Sequence, residues 1–486
     1  MTTTEATEPA GPTEPVEVER TIESPTERAQ RIRYGSILLV LAAVTILLAA
    51  TTGDGRAAFG LLGGSEVLGS AAAWVGILVL LAATVAAVVL PFTGRAPRAT
   101  AALAPLLLLF AVMFFKTKGS ASFSVPAGAT AWTLAVLAVA CAVVWVLRVA
   151  GGRLNGLLGS IVVIGFFAAF LCWAVAGKNL AFPISNQFQG TLNFATPLIL
   201  GALAGVVCER AGVINIAIEG QFLFGAFTAA LVSSTTGSSA AALIAAAATG
   251  VLLAALLAVF SIKYLVNQVV LGVVLVVFAT GVTGYLYDEF MQENAADLNT
   301  PHVLTAVKIP GLGDIPFIGP ILFNQTVLVY LMYLAVAVVT FVLFETRWGL
   351  RVRSVGEHPK AADTVGIKVS RVRYSAVLWA GVLAGLGGAF FTVGYGGAFV
   401  KEMTAGNGFI ALAALIMGRW HPIGATVAAL FFGFATQLQS QLQIVDTPIP
   451  GDLLLMAPYL ATVVAVAGLV GRVRAPKADG EPYVKG

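Results

Sequence analysis

Long apolar runs separated by short polar breaks occupy the chain from Tyr34 onward. Fourteen can be marked: 35–50, 70–91, 101–115, 128–147, 158–177, 191–207, 213–233, 238–260, 265–286, 324–344, 374–394, 407–418, 423–438 and 453–470. A helix needs about 20 residues to cross the hydrocarbon of a bilayer, and most of these runs come close to that. The pattern predicts an all-α, polytopic transmembrane helix bundle. The runs at 101–115, 407–418 and 423–438 are short, so they are expected to be tilted, broken or re-entrant. Irregular backbone at that depth is tolerated where it faces protein or a cavity.

The polar residues divide the chain further. Residues 1–33 are rich in Thr, Glu and Pro without apolar periodicity, as in a disordered tail. No short apolar core begins near Met1, so no secretory signal is expected. Segments 34–157 are Ala/Leu/Val-rich with almost nothing polar inside a run. From 158 to 473 the runs carry Asn, Gln, Glu, Thr and many Gly, and polar groups in a bilayer tend to face a bundle interior or a pathway. The expected organisation is a tail, an accessory membrane segment (34–157), a functional core (158–473) with a polar loop at 345–373, and a second tail at 474–486.

Composition agrees: 58% of residues are hydrophobic, 11% are charged and the mean hydropathy is +0.91, against about 25% charged residues in soluble domains. The pI near 8.9 does not point to nucleic acid, because the basic residues lie between apolar runs. With the N-terminus in the cytoplasm and strict alternation, 22 of the 28 Lys and Arg fall inside. The positive-inside rule therefore predicts both termini and the 345–373 loop to be cytoplasmic.

Catalytic chemistry has little to work with. Cys141, Cys172 and Cys208 lie in apolar runs without metal-like spacing, and His302, His358 and His421 are far apart. No catalytic or metal-ligating set is expected. No G-x-x-x-x-G-K-[ST] occurs, so the chain does not hydrolyse ATP by that route.

Five polar or glycine-rich stretches remain. In "RVRSVGEHPKAADTVGIKVSRVR" (351–373), Pro359 suits the first position of a helix and Gly366 the residue after its end. Ala361, Ala362 and Val365 give this short helix a small apolar face suited to a groove on another protein; an ordinary basic loop is the plainer reading. In "CERAGVINIAIEGQFLFGAF" (208–227), Asn215 and Glu219 stand at i, i+4, hence on one helical face. They form a polar seam lining a pathway, or an interhelical hydrogen bond that fixes packing. In "YLVNQVVLGVV" (264–274), Asn267 and Gln268 either meet substrate or sit at the headgroup boundary. Gly381, Gly385, Gly387 and Gly388 read as close helix packing. In "GFIALAALIMGRWHPIGA" (408–425), Arg419 to Pro422 make a tight turn, where His421 reads as an interfacial residue rather than a proton relay.

Together "ERAGVINIAIEG", "VNQVVLG", "GEHPKAADTVGIKV" and "ALIMGRWHPIGA" resemble the membrane permeases of bacterial ABC importers, in the branch for nucleosides and simple sugars related to the branched-chain amino-acid permeases. The likeness covers about 190–470, in order. It implies a pair of permeases, more readily two paralogues than a homodimer, with the pathway between them. It also implies two cytosolic ATPase subunits that bind ATP and Mg²⁺, and an extracytoplasmic substrate-binding lipoprotein. This chain would bind no cofactor itself. The segment around Glu357, Pro359, Ala361, Ala362 and Gly366 matches the family's coupling helix. Asn215, Glu219, Asn267 and Gln268 are the expected polar path, in a bacterial cell-membrane protein. Nucleosides lead as substrate, then ribose-like sugars, then branched-chain amino acids. A proton- or sodium-driven transporter with Glu219 titrating is the alternative mechanism.

Overall fold

The computed structural model describes residues 25–61, 77–87, 98–116, 122–147, 155–315, 317–464 and 475–484. Residues 1–24, most of the expected tail, lie outside these. So do 465–474, which hold the end of the last apolar run. Helix α1 (Pro25–Thr51) starts inside the stretch expected to be disordered. Pro25 is a good first residue, and the Arg, Gln and Ala that follow are strong helix formers.

The chain divides into two units by its contacts. The first comprises residues up to 53, 80–109 and 127–173; the second holds 54–79, 110–126 and everything from 174. In the first unit α1 packs on α4 (Ala127–Val146) and α5 (Asn155–Val175) through Leu38, Ala42, Ala138, Ala142, Trp145 and Val162. Gly35 admits the Trp145 ring, which would lie 3.1 Å from a Cβ there. Two short helices, α2 (Ile77–Ala87) and α3 (Ala104–Lys116), straddle the division.

The second unit holds the expected core from residue 174 onward, while 158–173 belong to the first unit. Strand β1 (Arg56–Gly60) pairs antiparallel with β2 (Ser122–Pro126), Ala58 opposite Ser124, and in parallel with the two-residue β3 (Phe182–Pro183). Helix α6 (Ile184–Glu209) is the central pillar: 89% of its apolar window is buried, against 28–39% for most other spans. After it in the chain come α7 (Ile218–Thr236), α8 (Ser239–Ala258) and α9 (Gln268–Leu286). A polar excursion follows, with short helices α10 (Ala295–Leu298) and α11 (Ile318–Leu322) and a strand pair, β4 (Ala306–Lys308) and β5 (Asn324–Thr326). The chain returns through α12 (Val327–Glu345), α13 (Arg347–Glu357), α14 (Pro359–Thr364), α15 (Val369–Ala389), α16 (Asn407–Met417), α17 (Pro422–Ile444) and α18 (Gly451–Val464).

Among the described residues nine helices are long and apolar enough to cross a membrane. The protein is an all-α, multi-pass membrane bundle. Helix α16 is short, as expected for 407–418. The expectation of a short or broken run at 423–438 is corrected: α17 is one helix of 23 residues. Its apolar run ends at Leu438 because Gln437, Gln439, Gln441 and Gln443 follow or interrupt it. Gln437 and Gln441 are buried, and Gln437 donates to the Asn186 carbonyl. The glycine-rich stretch of α15 does pack closely. A Cβ on Gly225 or Gly250 would strike α15 backbone at Gly385, and one on Gly388 would strike the Phe222 carbonyl.

Candidate functional site

The site is built on the eight residues that connect α6 to α7, Arg210 to Ala217, and on the acids at either side. Glu209 closes α6 and is buried. Its carboxylate accepts the indole N–H of Trp420 at 2.6 Å. Beside it, Arg210 Nε donates to the Trp420 carbonyl at 2.9 Å. Glu219 lies in the first turn of α7, also buried. It accepts three hydrogen bonds: Oε1 from the Thr404 hydroxyl (2.6 Å) and the Gly406 N–H (2.9 Å), Oε2 from the Gly408 N–H (2.6 Å).

Those donors belong to the start of α16. A helix begins with N–H groups that lack intrahelical partners and with a positive dipole end. No side chain of α16 caps them, and its N-cap is Gly406 in the left-handed region, φ +80°. A carboxylate from another helix takes that role, through charge-assisted bonds about twice as strong as neutral ones. Gly408 makes the approach possible: a Cβ would lie 2.5 Å from the Glu219 Cα.

The other end of α16 is held as well. The chain turns at Gly418–His421 with Arg419 and Trp420 both left-handed, φ +57° and +53°. For residues with a Cβ such a conformation costs roughly 1–3 kcal/mol each and persists when surroundings enforce it. Here Glu209 and Arg210 grip Trp420, and the His421 ring stacks on Phe344 (4.8 Å), with the Arg353 guanidinium also against Phe344 (5.1 Å). Two acids ten positions apart thus clamp both ends of one short helix.

The predicted path residues separate. Asn215 is fully buried but precedes α7, so the expected shared helical face with Glu219 is corrected. The chain is non-helical at 213–215, where Gln268 Oε1 accepts the Ile214 N–H at 2.7 Å. Asn215 Nδ2 donates to Gln221 Oε1 at 3.1 Å, while Asn215 Oδ1 and Gln221 Nε2 are buried with no partner. Gln221 was missed in the sequence; a glutamine two places after Glu219 in an apolar run was the available signal. Gln268 joins this cluster. Asn267 does not: it is exposed and caps α9, accepting from Val269 and Val270 N–H at 3.0 and 3.1 Å.

The polar loop forms two helices. Thr346 caps α13, accepting the Gly349 N–H at 3.2 Å. Pro359 opens α14 and Gly366, at φ +86°, ends its turn, as the residues predicted. Of the expected docking face, Ala361 and Val365 point outward and Glu357 is exposed, but Ala362 is 4% exposed and packs inward among Val355 and Val369. At the end of α13, Gly356 presses on the Arg210 carbonyl and Gly212 N–H. The α13–α14 pair therefore rests directly on the connection that holds α16.

With this geometry in hand, comparison with known proteins is decisive. The model of the family described as "Branched-chain amino acid transport system / permease component" matches residues 187–471. The chain belongs to that family. It is 44% identical, over 62% of its own length and 98% of the relative's, to the guanosine ABC transporter permease protein NupQ of Bacillus subtilis. It is 39% identical, over 60% and 95%, to the nucleoside ABC transporter permease protein NupC of Lactococcus lactis. A second Bacillus subtilis guanosine permease protein, NupP, is 24% identical over 66% and 98%. No solved structure matches. This permease is a transport subunit of an ABC importer, not an enzyme, and it works in a system with other subunits.

Proposed function

We propose that this permease forms half of the translocation pathway of an ABC importer for nucleosides. The observation that carries the substrate is that two relatives named for nucleosides are matched over 98% and 95% of their lengths. The second permease of the pair is a paralogue, a reading supported by the two distinct guanosine permease proteins of one Bacillus. ATP and Mg²⁺ belong to cytosolic partner subunits, and an extracytoplasmic binding protein delivers solute. Both termini and α13–α14 face the cytosol, in keeping with the 22 of 28 basic residues on that side.

In this mechanism α14 is the coupling helix. Closure of the ATPases pushes α14 and α13; Gly356 passes the displacement to Arg210 and Gly212; Glu209 and Glu219 carry it to the two ends of α16. The polar ties of α16 can be exchanged for water or solute, which makes it the moving part of a two-state gate. Asn215, Glu219, Gln221 and Gln268 supply the polar path, and Asn267 serves as a helix cap.

The test is accumulation of tritiated guanosine in proteoliposomes holding the permease pair, ATPase and binding protein. ATP-dependent accumulation should survive ionophores and resist excess ribose or leucine. Accumulation that needs an ion gradient refutes the ABC mechanism, and competition by ribose or leucine refutes the substrate.

A further inference from the structure

The segment 475–484 lies at the end of the bundle that carries α13 and α14. Residues 475–484 are fixed there at several points. The Ala478 N–H donates to the Gly356 carbonyl at 2.9 Å. Arg373, fully buried in the first turns of α15, donates to the Glu481 carbonyl at 2.9 Å and to the Ala211 carbonyl at 3.2 Å. Gly212 leaves room for the Ala478 carbonyl, which would stand 2.8 Å from a Cβ. The Tyr483 side chain lies near the Asp363 carboxylate and packs against the core cluster that includes Ala362.

This segment does not lie flush against the helices. A cleft of about 330 Å³ separates it from the start of α14, with Glu357, His358 and Lys360 on one wall and Lys477, Glu481 and Tyr483 on the other. Charges of both signs line it, which suits a polar protein loop better than an anionic lipid surface. Interface size points the same way. A stable protein contact covers roughly 800 Å² on each partner, about 20–30 residues, and α14 has six residues, with Ala362 turned inward. Adjoining surface must contribute, and the ordered tail is the surface continuous with it.

We propose that residues 475–484 are the second half of the ATPase docking surface, and that a charged loop of the ATPase subunit seats in the cleft between this segment and α14. The proposal rests on reading α14 as the coupling helix. Because the tail binds Gly356 directly and reaches Ala211 through Arg373, a partner seated there pulls on the α6–α7 connection by a route parallel to α13.

The experiment is photo-crosslinking in membranes that contain the complete transporter, with p-benzoylphenylalanine placed at Val365 of α14 or at Val484 of the tail. Both positions are exposed, 75% and 65%. Both should crosslink to the ATPase subunit. Crosslinking from 365 and not from 484 overturns the proposal and leaves the coupling helix standing. Absence of both overturns the coupling-helix reading and the proposal with it. As a second measure, the exposed pair Lys477→Glu and Glu481→Lys should weaken co-purification of the ATPase about tenfold, a shift of the size expected when rim charges are reversed. Unchanged co-purification overturns the proposal.

Discussion

Replacing Glu219 by Gln keeps the side-chain shape and removes the charge that caps α16. The glutamine oxygen can still accept from Thr404 and Gly406, but its amide NH₂ then faces the Gly408 N–H, donor against donor. The loss includes the 2.6 Å bond to Gly408, worth about 1.5–3 kcal/mol when charge-assisted and buried. The interaction of a carboxylate with a helix N-terminus adds about 0.3–1 kcal/mol at exposed sites and up to ~2 kcal/mol when partly buried. A total near 3 kcal/mol corresponds to roughly a hundredfold change in the opening equilibrium of the first turn of α16. Hydrogen exchange of the purified protein in detergent reads this directly: the Gly406 and Gly408 amides should exchange roughly a hundredfold faster, with α6 and α15 unchanged. Nucleoside uptake should fall in parallel. Protection at those two amides within about threefold of the parent protein would refute the cap.

Three further outcomes are expected. Gly408→Ala drives a Cβ into the Glu219 backbone and should abolish uptake while costing more than about 2 kcal/mol in thermal unfolding, as overpacking does. Val365→Glu, on an exposed position, should insert and fold normally yet lose ATPase co-purification, whereas Ala362→Glu buries an unpaired charge and should lower thermal stability itself; normal stability of Ala362→Glu would contradict the inward packing. Asp479 is pushed up to about 7 by burial, against the opposing pull of Arg373 and the Gly480 N–H. A carboxyl with a raised folded value favours the folded form at low pH, so tail attachment should weaken as pH rises from about 4 to 7 and then level off. Limited proteolysis of the tail should be faster at pH 7.5 than at pH 5, and Asp479→Asn should flatten that dependence.

Much of this was legible because apolar run length is a strong signal. The bundle, the short α16 and the Pro359-to-Gly366 turn of α14 follow from local rules about length, caps and left-handed glycine. The role of each polar residue did not, because it depends on partners distant in the chain. Glu219 reads as an isolated acid until Thr404, Gly406 and Gly408 arrive from 185 to 189 positions away. Asn215 looks helical by spacing, yet it lies in the non-helical link before α7, next to the Ile214 N–H that Gln268 accepts. Ala361 and Ala362 are chemically alike, and only the packing of the helix on the core decides which faces outward. The extra length of α17 was hidden because its glutamines end the apolar signal without ending the helix.

Gly385 meets Gly225 of α7 and Gly250 of α8 at once, so three helices share one seam with no side chain between them. Such a seam has no slack: sliding any member by a fraction of a turn would bring a bulkier neighbour into the crossing. α7, α8 and α15 must then travel as a solid wall through the transport cycle, and the first wobble in this protein, under heat or detergent, belongs to the little helix whose two ends are tied down by polar handles.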